Sequence, residues 1–146
     1  MHVHVQIVTD DDTPAPADII RWAQSVDEQS PDDLGELTVR IVGPAEAARL
    51  NLQWRNRSEA TNVLAFPLSD ENMAASILGD VVICAEVANR EAERDKKLRD
   101  AHWAHLVIHG TLHLLGYDHA DDADAATMEA LECTKLRNLG YPNPYL

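Results

Sequence analysis

Hydrophobic and polar residues follow strand-like patterns in four short stretches of the chain. Residues 1–7 and 37–41 alternate apolar and polar positions, which is typical of strands with one buried face. Residues 61–66, closed by Pro67, and residues 77–84 are largely apolar and rich in β-branched side chains. These two runs predict a third and a fourth strand.

Five further segments have the spacing or composition of helices: 13–25, 45–54, 86–97, 100–115 and 121–139. Polar stretches at 56–60 and 69–76 predict loops, and no repeat or linker-like segment interrupts the order. We therefore expect a single α/β domain over residues 1–146. Its sheet should have about four strands, mostly parallel or mixed, and about five helices should pack around it.

The helix predicted at 100–115 differs from the others because apolar residues cover most of its circumference. A helix that is apolar on most sides is buried. Its polar stripe holds four histidines, which are His102, His105, His109 and His113. Burying so many imidazoles without a common partner is costly. We therefore favour a metal-binding cleft over the alternative, a set of hydrogen-bonded core histidines.

Three histidines near the end of this helix have the spacing of a metal site. His109 and His113 lie one helical turn apart, which places their Cβ atoms roughly 5–6 Å from each other. Gly116 can adopt a left-handed conformation and turn the chain back, which would bring His119 towards them. Three protein ligands and one open position are typical of catalytic zinc, although nickel, cobalt and copper also accept imidazole. The sequence thus predicts a metal site on a buried helix and the turn after it.

Gly110 bears on the kind of metal chemistry. The spacing of the three histidines matches that of metzincin proteases, in which a glutamate follows the first histidine and serves as general base. Glycine cannot accept a proton, so a protease is disfavoured unless Asp118 or another carboxylate substitutes. Glycine within a helix costs about 1 kcal/mol relative to alanine, and either close packing or open space beside His109 would explain it. Cys84 is a poor fourth ligand, because no residue near it in the sequence has the cysteine and histidine spacing of a zinc finger.

The charge of the chain limits its partners. A net charge of −13 argues against broad, nonspecific binding of nucleic acids. Eight of the twelve basic residues nevertheless lie in segments 40–57 and 94–99. A local basic patch and two solvated polar stretches are equally compatible with this distribution. Neither a membrane-spanning run nor a signal-peptide pattern is present, which predicts a cytoplasmic protein without a membrane partner.

The run from His109 to His119, His-Gly-Thr-Leu-His-Leu-Leu-Gly-Tyr-Asp-His, resembles the signature of the YbeY family of bacterial endoribonucleases and rRNA maturation factors. The resemblance extends upstream to 50–55, to Thr-Asn-Val-Leu-Ala-Phe-Pro at 61–67 and to Leu-Gly-Asp-Val-Val-Ile-Cys at 78–84. It covers roughly residues 35–140 in the family's order. Residues 1–34 match only loosely, and an alanine stands at position 65, where the family commonly has serine.

This resemblance implies a mixed α/β fold in which His109, His113 and His119 hold one zinc ion per chain. It also implies cleavage of single-stranded RNA, maturation of the 16S rRNA 3′ end, ribosome quality control, and contact with the ribosome or its small-subunit proteins. Arg55 aligns with a functionally important arginine of the family, and a guanidinium can bind two phosphoryl oxygens at once. We therefore take Arg55 and His109 as candidate catalytic residues, and Arg55 and Arg57 as candidate RNA-binding residues.

Two other hypotheses come from different functional classes. A metzincin-like metalloprotease would fit the histidine spacing, but Gly110 removes its base. A non-catalytic, ribosome-associated zinc protein would use the metal for structure. A structural zinc ion is closed by a fourth protein ligand, whereas a catalytic one keeps an open position. The fourth position therefore discriminates between these hypotheses.

Overall fold

The computed structural model describes residues 1–27, 35–55, 62–67 and 77–146, except for the side chain of Arg55. The strands are β1 (His2–Val8), β2 (Glu36–Val42), β3 (Val63–Pro67) and β4 (Ile77–Cys84). The helices are α1 (Pro16–Gln24), α2 (Pro44–Arg55), α3 (Ala85–Arg94), α4 (Arg99–Leu114) and α5 (Asp122–Asn138), and a short 3₁₀ turn (Ser25–Asp27) follows α1. The predicted strands and helices are confirmed, with ends shifted by a few residues. The loops predicted at 56–60 and 69–76 lie outside the described residues.

The four strands form one mixed sheet in the order β1-β2-β4-β3. Strands β1, β2 and β4 are parallel, and Val39 of β2 pairs with Val81 of β4. Strand β3 runs antiparallel to β4, with Ala65 opposite Val81. The mixed α/β sheet expected from the sequence is confirmed. The antiparallel β3 occupies one edge, so one side of its backbone is left without a strand partner among the described residues.

Strand β4 is buried on both faces because helices cover both sides of the sheet. Val81 and Ile83 belong to the larger core, which contains residues of α1, α4 and α5. The alternate positions Val82 and Cys84 belong to a smaller core with Ala47 of α2. Continuous apolar sequence is the pattern expected of such a strand. The larger core places α4 across β3 and β4.

Helix α4 is the central helix of this larger core. Trp103, Ala104, Val107 and Ile108 are fully buried, as the apolar circumference of the sequence predicts. Its last two turns lie beside the edge strand β3, and α5 packs against its other side. None of the helices within the described ranges combines the length and apolar character needed to cross a bilayer.

Candidate metal centre

The end of α4 presents two histidines and then reverses the chain. His109 and His113 are separated by one turn, and α4 ends after Leu114. The N–H of Gly116 donates to the carbonyl of His113, and the N–H of Tyr117 donates to the carbonyl of Leu112, both at 3.1 Å. These two bonds form a Schellman motif. Gly116 has φ of +100°, a conformation that favours glycine, and the predicted turn is confirmed.

The turn brings three imidazoles together. The Nε2 atoms of His109 and His113 are 3.1 Å apart. The ring of His119 lies 5.8 Å from that of His109 and 5.0 Å from that of His113, measured between ring centroids. One ring nitrogen from each of the three histidines lies within 4.8 Å of the other two. The structure therefore brings together the three histidines that the sequence predicts as metal ligands.

The spacing of these imidazoles and the lowered pKa of His113 suit a divalent metal ion. Two nitrogens bound tetrahedrally at about 2.0–2.1 Å from zinc would be about 3.3 Å apart, close to the 3.1 Å observed between His109 and His113. Burial, followed by the proximity of His109 and His119, lowers the pKa of the His113 imidazole. A neutral imidazole is the form that binds metal. The donor set thus fits zinc or a similar imidazole-binding ion.

A buried carboxylate on α5 lies behind the three histidines. Glu132 has no exposed surface, and its Oε1 accepts a hydrogen bond from Nδ1 of His109 at 2.8 Å. Its Oε2 accepts hydrogen bonds from Nε2 of His105 at 2.8 Å and from the hydroxyl of Tyr145 at 2.5 Å. Burial alone would raise the pKa of Glu132, but these three hydrogen bonds together lower it to about 2. Glu132 is therefore ionised at neutral pH.

Sequence reasoning did not single out Glu132, although the sequence contains a signal for it. Met128, Glu132 and Leu136 recur at intervals of four residues, and all three are buried on the same face of α5. A charged residue in the middle of such an apolar stripe needs buried partners. The identity of those partners is not visible in the sequence, since His109 precedes Glu132 by 23 residues.

The prediction that the whole histidine stripe of α4 lines one cleft is wrong. His102 is buried against α3, where its Nε2 lies 3.2 Å from Oε1 of Glu91. His105 contacts Glu132 and Tyr145 rather than the cleft. His102 and His105 therefore have carboxylate partners away from the cleft, and only His109 and His113 of this stripe reach the cleft. His109 shares Glu132 with His105, but unlike His105 it also lines the cleft.

The three histidines lie in an open cleft of about 650 Å³ between the end of α4 and the edge strand β3. Residues 62–67 form one wall, and residues 116–119 form the opposite rim. Trp54, at the end of α2, also lines the cleft; it is 63% exposed and its ring centroid lies 5.8 Å from that of Phe66. The cleft is therefore bordered by an exposed aromatic ring and by a strand edge that pairs with no other described strand.

The structure locates only the backbone of one of the two candidate RNA-binding arginines. Arg55 is the last residue of α2 and follows Trp54, which lines the cleft. The side chain of Arg55 and the whole of Arg57 lie outside the described residues. Their proposed roles therefore remain predictions.

Several basic residues of the two charged segments are engaged with acids. Arg40 donates to both carboxylate oxygens of Glu46 at 2.9 Å. Arg94 pairs with Asp95 at 2.9 Å. Arg99 lies at the start of α4, about 21 Å from His113 by the rise of the helix, and pairs with Asp12 and Asp100. The 94–99 segment is therefore distant from the cleft and partly neutralised.

Close packing explains Gly110. A Cβ atom on this residue would lie 2.7 Å from Cγ1 of Val81 and 3.3 Å from Cγ2 of Val63. Real Cβ atoms essentially never approach other atoms as closely as 2.7 Å. Of the two explanations left open by the sequence, contact between α4 and the sheet is the one that this geometry supports.

Neither Cys84 nor Asp118 belongs to the group of described side chains that converges in the cleft. Cys84 is buried in the smaller core, on the other face of the sheet from α4, and burial raises the pKa of its thiol. Asp118 is exposed and its Oδ1 accepts a hydrogen bond from the N–H of His119 at 2.8 Å, so it stabilises the turn. Among the described residues, the group that converges on the cleft consists of three histidines. This arrangement favours an open metal position.

Comparison with known proteins identifies sequences similar to the whole chain. The family model described as "Endoribonuclease YbeY" matches residues 6–140, so the match begins earlier than the sequence motifs indicated. A protein of Stutzerimonas stutzeri named endoribonuclease YbeY is 53% identical over 134 residues, covering 90% of this chain and 83% of the relative. A protein of the same name from Pseudomonas syringae pv. syringae is 48% identical over 147 residues, covering 99% of this chain and 88% of the relative.

A solved structure confirms the fold. The solution structure of a Thermotoga maritima protein aligns with a TM-score of 0.63 and covers 92% of this chain and 88% of its own. The two sequences are 24% identical in this alignment, so the comparison supports the fold alone.

Proposed function

The chain belongs to the YbeY endoribonuclease family, and on this premise we propose that it is a zinc-dependent endoribonuclease that cleaves single-stranded RNA in the cleft of the three histidines. The observation that carries the proposal is the convergence of His109, His113 and His119 in an open cleft. A catalytic metal site keeps a position free for substrate or water. An RNA strand would reach that position along the edge strand β3.

His109, His113 and His119 would hold the zinc ion. When bound, zinc supplies Lewis acidity, which stabilises negative charge on a phosphoryl oxygen and makes a nearby water more acidic. The two ring nitrogens of His109 face Glu132 and His113. We therefore assign His109, our candidate catalytic residue, the role of a ligand rather than of a general base.

Arg55 is the residue that we propose for binding the scissile phosphate. Cleavage of a phosphodiester develops negative charge on the phosphoryl oxygens, and a guanidinium can donate to two of them. The position of Arg55 directly after Trp54 at the cleft supports this role. Arg57 would add a second contact to the RNA backbone. Gly110 supports a phosphodiester substrate over a peptide, because the position of the protease base has no side chain.

The cleft supports a preference for unpaired RNA. Trp54 and Tyr117 both line it and are both exposed. The faces of unpaired bases can stack on exposed aromatic rings, whereas the bases of a duplex are stacked on one another. We propose that Trp54 receives a base close to the cleaved phosphate.

We further propose that the substrate is the 3′ end of 16S rRNA in the cytoplasm, and that the protein acts in rRNA maturation and ribosome quality control. The net charge of −13 weakens unaided binding to RNA. A basic small-subunit protein would complement this acidic surface and hold the RNA end near the cleft. Sequencing of 16S rRNA 3′ ends in cells that carry only the Arg55→Ala variant tests this step, and correctly processed ends would contradict it.

The function is tested with a fluorescently labelled single-stranded RNA, the matching duplex and a single-stranded DNA of the same sequence. We expect zinc-loaded protein to cut the single-stranded RNA preferentially, and we expect His113→Ala and Arg55→Ala to cut it at least about 100-fold more slowly. His4→Ala, at an exposed position of β1, and Arg49→Ala, at an exposed position of α2, are matched controls that should keep parental rates. Equal rates for all variants would show that the site does not cleave RNA.

The other hypotheses give different results. A metalloprotease would degrade casein in a zinc-dependent, His113-dependent manner. A structural zinc protein would bind the ion and lose stability without it, yet would cleave neither substrate. The open, three-histidine group of the described residues argues against this structural role.

A further inference from the structure

Glu132 is a buried charge that the proposed reaction does not use directly. It lies on α5, has no exposed surface and accepts hydrogen bonds from three side chains. Burying a carboxylate is costly unless it is fully hydrogen-bonded. A solvent-facing acid or an apolar side chain would avoid this cost. The position of Glu132 behind His109 therefore calls for a role in the site.

The hydrogen bond between Glu132 and His109 fixes which nitrogen of the imidazole is protonated. An ionised carboxylate can only accept, so Nδ1 of His109 must carry the hydrogen in the 2.8 Å bond to Oε1. The unprotonated Nε2 then faces Nε2 of His113 at 3.1 Å. This is the tautomer in which His109 can donate an electron pair to a metal ion in the cleft.

Tyr145 and His105 hold the carboxylate in place. The hydroxyl of Tyr145, near the end of the chain, donates to Oε2 at 2.5 Å, and Nε2 of His105 lies 2.8 Å from the same oxygen. The rings of His105 and Tyr145 pack edge to face with centroids 5.4 Å apart. The two oxygens of Glu132 thus have separate roles, because Oε2 is anchored while Oε1 orients His109.

We propose that Glu132 is a positioning residue that orients His109 and fixes its metal-binding tautomer, and that Tyr145 anchors Glu132 for this purpose. The proposal rests on the metal centre of the proposed function and adds residues that coordinate nothing themselves. Partners that orient metal-binding histidines in this way typically contribute about 10–100-fold to metal affinity.

The same atoms could instead ligate a second ion, because His105, His109 and Glu132 also have nitrogen and oxygen atoms within 4.8 Å of one another. The contacts favour the positioning role. Distances of 2.5–2.8 Å are those of direct hydrogen bonds. A second ion would have to displace these hydrogens and convert His109 into a bridge between two metals.

The test measures zinc affinity by competition with a chromophoric chelator, without RNA. Glu132→Gln should bind zinc roughly 10–100-fold more weakly than the parent chain. Tyr145→Phe, which removes a single hydroxyl at a half-exposed position, should weaken binding to a smaller extent. Glu129→Gln removes an exposed carboxylate from the same helix and should bind like the parent.

A second measurement reports the tautomer directly. Nitrogen NMR of the zinc-free protein should show His109 protonated at Nδ1, and Tyr145→Phe should weaken that preference. Unchanged zinc affinity in folded Glu132→Gln and in Tyr145→Phe would overturn the proposal. So would two zinc ions per parent chain with one of them lost in Glu132→Gln. If Glu132→Gln fails to fold, the zinc affinity of Tyr145→Phe and the tautomer of His109 in that variant decide whether the proposal holds.

These results separate the inference from the proposed function. If the parent chain binds no zinc, both fail. If the affinities change as expected but the parent chain does not cleave RNA, the positioning role stands and the nuclease proposal fails. If RNA is cleaved and Glu132→Gln binds zinc normally, the positioning role alone fails.

Discussion

The contact between Gly110 and the sheet makes Gly110→Ala a test of how closely α4 packs against β3 and β4. Alanine normally stabilises a helix by about 1 kcal/mol relative to glycine. Here its Cβ would lie 2.7 Å and 3.1 Å from the two methyl carbons of Val81, and 3.3 Å from Cγ2 of Val63. Val81 is fully buried in the strand between β2 and β3, so it has little freedom to move away.

The magnitude follows from these opposing effects. Overpacking a core by one methyl group typically costs about 1–3 kcal/mol, which exceeds the helical gain of about 1 kcal/mol. We expect Gly110→Ala to lower the free energy of unfolding by about 1 kcal/mol. In a Val81→Ala background the methyl groups that clash are gone. The same substitution should then be neutral or stabilising, with a coupling energy of about 1–2 kcal/mol between the two positions.

The assay is urea unfolding of the parent, the two single variants and the double variant, in zinc-free and zinc-loaded form. Val81→Ala alone is the matched control for the cavity that it leaves. A gain of about 1 kcal/mol for Gly110→Ala, or strict additivity in the double variant, would refute the close approach of α4. RNA cleavage by the double variant adds a further test. If packing is the reason for the glycine, the double variant should cleave RNA about as fast as Val81→Ala alone. Loss of RNA cleavage in the double variant would show instead that the site needs open space beside His109.

Other predictions concern the turn, the cleft and the buried carboxylate. Gly116→Ala places a side chain at φ of +100° and should cost about 1–2 kcal/mol and weaken zinc binding, whereas Gly140→Ala strains the same type of turn after α5 and should affect zinc binding less. Chemical denaturation and zinc titration check both variants. Trp54→Ala should weaken binding of single-stranded RNA by about 1–3 kcal/mol in a fluorescence-anisotropy titration, and Leu52→Ala, exposed on the same helix, should not. Because the pKa of Glu132 falls from 4.5 to about 2 on folding, its stabilisation is complete above pH 4.5 and disappears as the pH falls towards 2. The stability difference between the zinc-free parent and Glu132→Gln, measured by urea unfolding, should therefore shrink by up to about 3 kcal/mol across this range, and a constant difference would contradict it.

The sequence by itself determined the local part of the metal centre. His109 and His113 share a helix face because four residues make about one turn, and Gly116 can take the positive φ that ends the helix. Those are properties of neighbouring residues, so spacing suffices to place two histidines and to suggest the third. The strands followed in the same way from their alternation and apolar runs.

Only the tertiary structure decided which distant residues meet. Glu132 reaches His109 across 23 positions of sequence, and Gly110 meets Val81 because α4 crosses β4 at that point. The antiparallel placement of β3 at the sheet edge, which gives the cleft its wall, likewise depends on pairing with β4. The histidine stripe of α4 shows most clearly what the sequence does not determine. Periodicity placed four histidines on one side of α4, but packing of α3 and α5 against that helix gave His102 and His105 carboxylate partners away from the cleft. His109 also bonds to Glu132, yet it reaches the cleft together with His113. Helical spacing fixes the direction of a side chain from its own helix, whereas its chemical role depends on what the rest of the fold places beside it.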